Sequence, residues 1–430
     1  MLTDLRVEFA GLKLKNPIVA GGGPLAGTVD HIKKCVDAGF GAIVTKTVAY
    51  LKYIQRWPRP RYLLVDYKKK ANDPYYVPDD YTWLHREHNS VYPPESFAKI
   101  IKEAAPYAKE HDCAIIGSIN GRGLDEWVKM AKMYEEAGCS ALEINFCCPF
   151  PPVELVEKPE DAFMGIAFTL EPEKGVKIIE TLKNTVQIPL FAKLNPDGQD
   201  FEGMAEMFKD AGVDGLTMFA NNRLMRVDIE TGEPTNWGPC AGTGPAFKGH
   251  SIACIARVAR TAGLPLMGGR GATTWQDGIE FMMAGANAVQ YCSPIMLRGL
   301  SYVKELIRGM EGYMERRRYS NPQEFVGKAL KTVYSTKEII AKTKALYSTV
   351  DLKKCVGCGR CAEVCFYDVI EMHRKPKFYA DRCVGCTLCK QVCPVDAIEM
   401  KERDNDLDHF KAYISAHPEW AAEDIKKGQF

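Results

Sequence analysis

What the chain lacks narrows its function first. No run of about 18 apolar residues, the length that crosses a bilayer, occurs in its 430 residues, so no membrane span is expected. An excess of one charge is also missing. The 56 basic and 55 acidic residues leave a formal net charge of +1, which gives no global field to hold nucleic acid or a membrane surface. The opening stretch MLTDLRVEFAGLKLKNP has no uninterrupted apolar segment of the secretory kind, and a cytoplasmic location is expected. Nor does G-x-G-x-x-G follow the first apolar run. The glycines there are Gly21-Gly22-Gly23-Pro24, which argues against a dinucleotide fold within this chain. Finally, the 16 cysteines are not spread as in a small disulfide scaffold: half fall within 355–393. That asymmetry points to metal ligation in one segment and ordinary thiols elsewhere.

What is present is a repeating alternation of short apolar runs and helical-period segments up to about residue 310. Strands are expected over 17–21, 42–46, 114–119, 141–146, 189–194, 215–219, 264–268 and 288–292. Ala137-Gly138, Ala211-Gly212 and Ala284-Gly285 sit where a helix must stop before a buried strand. Eight such units predict an α/β fold, a (β/α)₈ TIM barrel, followed by a C-terminal two-[4Fe–4S] ferredoxin domain. The expected organisation is a barrel over 1–312, a helical linker over 313–349, a ferredoxin-like domain over 350–402 and a charged tail over 403–430. Two long excursions, after strand two and after strand four, would lie on the barrel's C-terminal face, where active sites are built.

The sharpest motif is Cys355-x-x-Cys358-x-x-Cys361-x-x-x-Cys365, repeated as Cys383-x-x-Cys386-x-x-Cys389-x-x-x-Cys393-Pro394. Close thiolate spacing suits a cubane cluster, and the fourth cysteine of each run ligates the other cluster. The expected sets are Cys355, Cys358, Cys361 and Cys393, and Cys383, Cys386, Cys389 and Cys365. Zinc is the competing reading, but four-cysteine zinc sites use two separated pairs.

Clusters move single electrons, so a two-electron partner is expected in the barrel, and flavin fits. Lys46 and Lys193 end strands two and five, Gly268-Gly269-Arg270-Gly271 follows strand seven, and Tyr291-Cys292-Ser293 ends strand eight. Loops seven and eight are a barrel's usual phosphate cradle. Ala20, Gly21, Lys46, Thr47, Lys193, Gly244, Gly268, Gly269, Cys292 and Ser293 are the candidate FMN contacts.

Strand four leads into Asn145-Phe146-Cys147-Cys148-Pro149, which resembles the N-x-S-C-P segment of the dihydroorotate and dihydropyrimidine dehydrogenase family. The likeness extends to Asn16-Pro17, Thr45-Lys46-Thr47, Ala192-Lys193-Leu194-Asn195-Pro196, Gly268-Gly269 and the cysteine runs, over about residues 5–400. It implies FMN, two [4Fe–4S] clusters, a small-molecule substrate and oxidation or reduction of a C–C bond beside a carbonyl. Cys148 would be the general acid/base, and Asn145 a contact to flavin or substrate. The electron donor or acceptor would be an NAD(P)H-dependent reductase subunit or a ferredoxin. Related barrels commonly pair, so a homodimer or hetero-oligomer is expected. The chain departs from the family pattern in four places. Cys147 replaces a serine, Phe150-Pro151-Pro152 replaces a polar position, His85 (with Asn89 close by) stands for an asparagine, and Asn221-Asn222 stands for Asn-Thr. These departures, with the basic segment over 52–70, leave a second reading open: an anionic non-pyrimidine ring or enoyl substrate. A third is an electron-transfer subunit whose barrel is inactive.

Overall fold

Eight short strands bury both faces and therefore read as unbroken apolar runs. They are Ile18–Ala20, Ala42–Val44, Ala114–Ile119, Ala141–Asn145, Leu190–Lys193, Gly215–Met218, Leu266–Gly268 and Ala288–Tyr291, here strands one to eight. In the computed structural model they close into one barrel in chain order, every pair parallel. All eight lie within the spans expected from sequence. The residues described are 3–55, 58–65, 79–147, 168, 171–195, 200–235 and 237–403.

Helices ring the barrel because each carries one apolar stripe. Leu124–Glu136 buries Trp127, Met130, Ala131 and Tyr134, which share one face at a period of 3.6 residues. The Ala-Gly pairs end three helices as expected, with Gly138, Gly212 and Gly285 at φ of 100°, 92° and 115°, a conformation that penalises any side chain. A hairpin of Val7–Phe9 and Leu12–Leu14 precedes the barrel. Its Phe9 is fully buried, with its ring 4.6 Å from that of Phe191 on strand five.

Tyr62–Val65, Thr82–His85, Asn222–Leu224 and Cys240–Thr243 form a separate antiparallel sheet. Its strands come from the excursions after strands two and six. The long excursion after strand six was not expected. The loop after strand four is described only at its ends; there Phe146 stacks on Phe168, with ring centres 4.4 Å apart.

The chain divides into two units, residues 1–333 and 334–430. Residues expected as a linker, 313–349, fall in both. Phe325 is buried in the core of the first unit, whereas Leu346–Val350 pairs antiparallel with Ile398–Glu402 in the second. That second unit also holds a hairpin, Ile370–Met372 with Pro376–Phe378, and two single-turn helices, Arg360–Glu363 and Leu388–Gln391. Among the described residues no helix is long and apolar enough to cross a membrane.

Candidate functional site

A cleft of about 1000 Å³, open solvent at its mouth included, lies at the C-terminal ends of the barrel strands. The walls come from the strand ends and the added sheet. Of the residues singled out from sequence, Gly21, Lys46, Thr47, His85, Asn145, Lys193, Asn221, Cys292 and Ser293 line it. Ala20, Cys147, Asn222, Gly244, Gly268 and Gly269 are not among its lining residues. Cys148, Phe150 and residues 56–57 and 66–70 of the basic segment lie outside the described residues, as does the tail from 404.

Both lysines are held by buried carboxylates that sequence reading did not single out. Glu143, fully buried in strand four, lies 3.0 Å from the Lys193 ammonium. It also accepts hydrogen bonds from the Thr217 hydroxyl and the Gln290 amide, each at 3.0 Å. A carboxylate inside an apolar strand was the available signal. Lys46 pairs with Glu87 at 2.7 Å. Glu87 is further bonded by the Tyr62 hydroxyl and faces the Arg61 guanidinium at 3.3 Å. Burial opposes ionisation of Glu87, but the Lys46 ammonium and the other donors outweigh it and hold its carboxyl below the ordinary value.

A chain of hydroxyls runs from the end of strand four. The Asn145 amide donates to Thr47 Oγ1 at 3.0 Å, and the Thr47 and Ser118 hydroxyls are 2.8 Å apart. Because Glu143 can only accept, this order points the hydroxyl protons toward it, Ser118 Oγ being 3.5 Å away. The Asn145 carbonyl oxygen accepts the N–H of Cys147 at 3.0 Å. Asn145 thereby fixes the backbone immediately before Cys148. The Cys147 thiol is buried and donates to the Lys193 carbonyl at 3.0 Å.

His85 and Asn221 meet across the added sheet, 2.7 Å apart. The backbone N–H of Glu87 donates to His85 Nδ1 at 3.2 Å. Nε2 faces the Asn221 amide nitrogen, and which of the two donates follows the ring's tautomer. Burial, with the Lys46 charge adding to it, lowers the His85 pKa to about 4, so the ring is neutral at physiological pH. Asn222 turns instead to Arg270, whose guanidinium it accepts. Arg270 itself lines the cleft and is stacked over Phe219 and Phe247.

The cleft suits a planar polar ring with an anionic tail. Gly21, Gly22 and Gly23 line it, where a Cβ on Gly23 would lie 2.8 Å from Cys292 Sγ, and so do Arg270, Gly271, Ala272 and Ser293. Burial raises the Cys292 thiol to about 11 and those of Cys35 and Cys113 to about 12. These three are therefore poor nucleophiles and proton donors near neutral pH.

In the second unit the eight motif cysteines surround two cavities. Cys355, Cys358, Cys361 and Cys393 line one, and Cys365, Cys383, Cys386 and Cys389 the other. This is the crossed pairing expected from the spacing. Among the described residues, no three His, Cys, Asp or Glu side chains close on a point that would hold a single ion. Gly357 and Gly385 adopt φ of 72° and 68°, and a Cβ on either would press within 2.7 Å and 2.5 Å of a backbone carbonyl. Their N–H groups reach Cys355 Sγ at 3.4 Å and Cys383 Sγ at 3.5 Å.

Comparison with known proteins agrees with both halves. Residues 92–314 match the dihydroorotate dehydrogenase family, and residues 348–400 match a 4Fe-4S dicluster domain. The NAD-dependent dihydropyrimidine dehydrogenase subunit PreA of Escherichia coli K12 is 28% identical over 381 residues, covering 85% of this chain and 86% of that protein. The catalytic subunit of dihydroorotate dehydrogenase B (NAD(+)) of Caldicellulosiruptor bescii is 30% identical over 325 residues, covering 75% of this chain and 98% of the relative. The corresponding Pyrococcus abyssi subunit is 26% identical, covering 76% and 99%.

Proposed function

Because the chain belongs to the dihydroorotate dehydrogenase family and carries a 4Fe-4S dicluster domain, we propose that it oxidises or reduces a C–C bond beside a carbonyl in a pyrimidine-like ring. The barrel would hold FMN and the second unit would relay electrons. FMN, when bound, supplies two-electron chemistry that the protein's own side chains lack. The observation that carries this reading is the end of strand four. Asn145, in register with Lys193, lines the cleft while its carbonyl oxygen holds the N–H of Cys147, directly before Cys148.

The residues divide the work by chemistry. Lys46 and Lys193 place ammonium groups at the cleft, each balanced by a glutamate, and would bind and orient the flavin ring. Arg270, Gly271 and Ser293 would hold its phosphate end. Cys148 would hold and move the proton at the carbon beside the reacting one, since a thiol is a workable acid near neutral pH. Asn221, positioned by His85, would present its amide to the polar edge of the substrate. Electrons would pass to or from a separate reductase subunit or one-electron carrier.

The test is an anaerobic screen. The purified protein is reduced chemically, mixed with uracil, thymine, orotate or an aromatic-acid thioester, and flavin absorbance is followed. Rapid reoxidation by a pyrimidine is expected. Reoxidation by the thioester alone would move the substrate to the anionic class, and a protein purified without flavin would defeat the proposal.

A further inference from the structure

We propose that the rim around Cys355, Cys358, Cys361 and Cys393 is the docking face for an acidic one-electron carrier protein. The inference rests on the electron-relay role proposed above and adds where the partner binds and what kind of protein it is.

The two thiol sets have different surroundings. Around the first, Lys353, Lys354, Arg360, Arg374 and Lys375 are all exposed. They belong to one region. Lys353 and Lys354 immediately precede Cys355, and Arg360 lines the thiol cavity itself. Gly357 lies against the Arg374 carbonyl, and the Lys375 ammonium bonds the Leu352 carbonyl. The acids nearest in sequence, Asp351, Glu363, Glu371 and Asp396, are fewer, and Asp351 caps the N–H of Lys353 at 2.8 Å. In a chain with a net charge of only +1, this is a local concentration of cations. At its centre are two exposed apolar side chains, Leu352 at 52% and Val356 at 64%, beside the exposed Cys358. An apolar centre with a charged rim is the anatomy of a transient protein interface, and a one-signed rim steers an oppositely charged partner.

The second set lacks this character. Its exposed neighbours are apolar, with Phe366 at 83%, Tyr367 at 40% and Leu388 at 37%. Its exposed charges are balanced, Asp368 and Asp381 against Arg382 and Lys390. Charge complementarity therefore selects the first rim.

In the forward step one electron leaves the reduced carrier and enters the cluster held by these four thiols. The carrier is oxidised by one electron and the cluster reduced by one, with no proton or bond exchanged. Two such events match one two-electron change of substrate.

The test uses the full-length, cluster-loaded protein and a small acidic [2Fe–2S] ferredoxin as probe. Binding is measured by titration calorimetry at rising salt, and cluster reduction by stopped flow. In the paired variant Lys353→Glu, Lys354→Glu, probe affinity should fall about tenfold or more. The unaltered protein should lose affinity as salt rises. Lys390→Glu, on the other rim, should stay within about twofold, and dithionite should still reduce the clusters of all three proteins. Unchanged affinity in the paired variant, or a loss confined to Lys390→Glu, would overturn the proposal. Affinity that rises with salt would also overturn it and would name the acidic segment 404–430 of the same chain as the occupant. Absence of any cluster signal after dithionite would remove the relay reading underneath.

Discussion

Glu143 is the residue on which the barrel's polar interior converges. It is fully buried and joined to Lys193, Thr217 and Gln290. Glu143→Gln should cost about 3–5 kcal/mol, because it leaves the Lys193 ammonium buried without its counter-charge. Chemical denaturation should show the loss, and adding Lys193→Met should restore most of it. In the second unit Ser348 donates its N–H to Cys383 Sγ at 3.4 Å, and its Oγ lies 3.2 Å from Cys389 Sγ. Hydrogen bonds to ligating sulfur raise a cluster's potential. Ser348→Ala should therefore lower the potential of one cluster and leave the other unmoved in an EPR redox titration. His85 supplies a pH signature. Its folded pKa of about 4 lies below the ordinary histidine value of 6.5, so the unfolded chain binds more protons between those values. Its contribution to stability is complete above pH 6.5 and is lost as pH falls toward 4. Glu87, also depressed, loses its contribution only below the ordinary carboxylate value of 4.5. His85→Asn should flatten the thermal-melting profile between pH 6.5 and 4.5 while leaving the steeper fall below it.

At the scale of elements, the added sheet decides what the cleft admits. Leu224 packs where a side chain on Gly242 would fall, 2.2 Å from its Cδ1. Gly242→Val should splay Asn222–Leu224 from Cys240–Thr243, weaken substrate binding and leave far-UV dichroism nearly unchanged. The substrate KM should rise more than kcat falls. The barrel strands were legible because burial on both faces leaves unbroken apolar runs, and the glycines after Ala137, Ala211 and Ala284 mark real helix ends. The sheet was not legible. Its strands of three and four residues pair Thr82–His85 with Cys240–Thr243, more than 150 residues apart. For the same reason, sequence could nominate His85 and Asn221 but could not bring them together. Lys46 and Lys193 were readable as cations at strand ends, whereas Glu87 sits within the excursion, where its partnership with Lys46 depends on tertiary folding.

For the whole molecule, one unit offers a cleft with acid–base groups and the other two thiol cavities of fixed ligand pairing. The cysteine spacing grouped the thiols as the two cavities group them, three of each set from one loop and the fourth from the other run. The substrate was less readable, because the side chains proposed to touch it, such as His85 and Asn221, come from separate excursions that only the fold brings together. The central claim is that this barrel performs proton-coupled redox chemistry on a ring through Cys148. The most direct measurement compares anaerobic reoxidation of the reduced flavin by the best pyrimidine in the unaltered protein and in Cys148→Ala, with flavin content matched. Loss of a positioned acid should slow the variant by about 10²–10⁴-fold while substrate still binds. Equal rates in the two proteins would contradict the account.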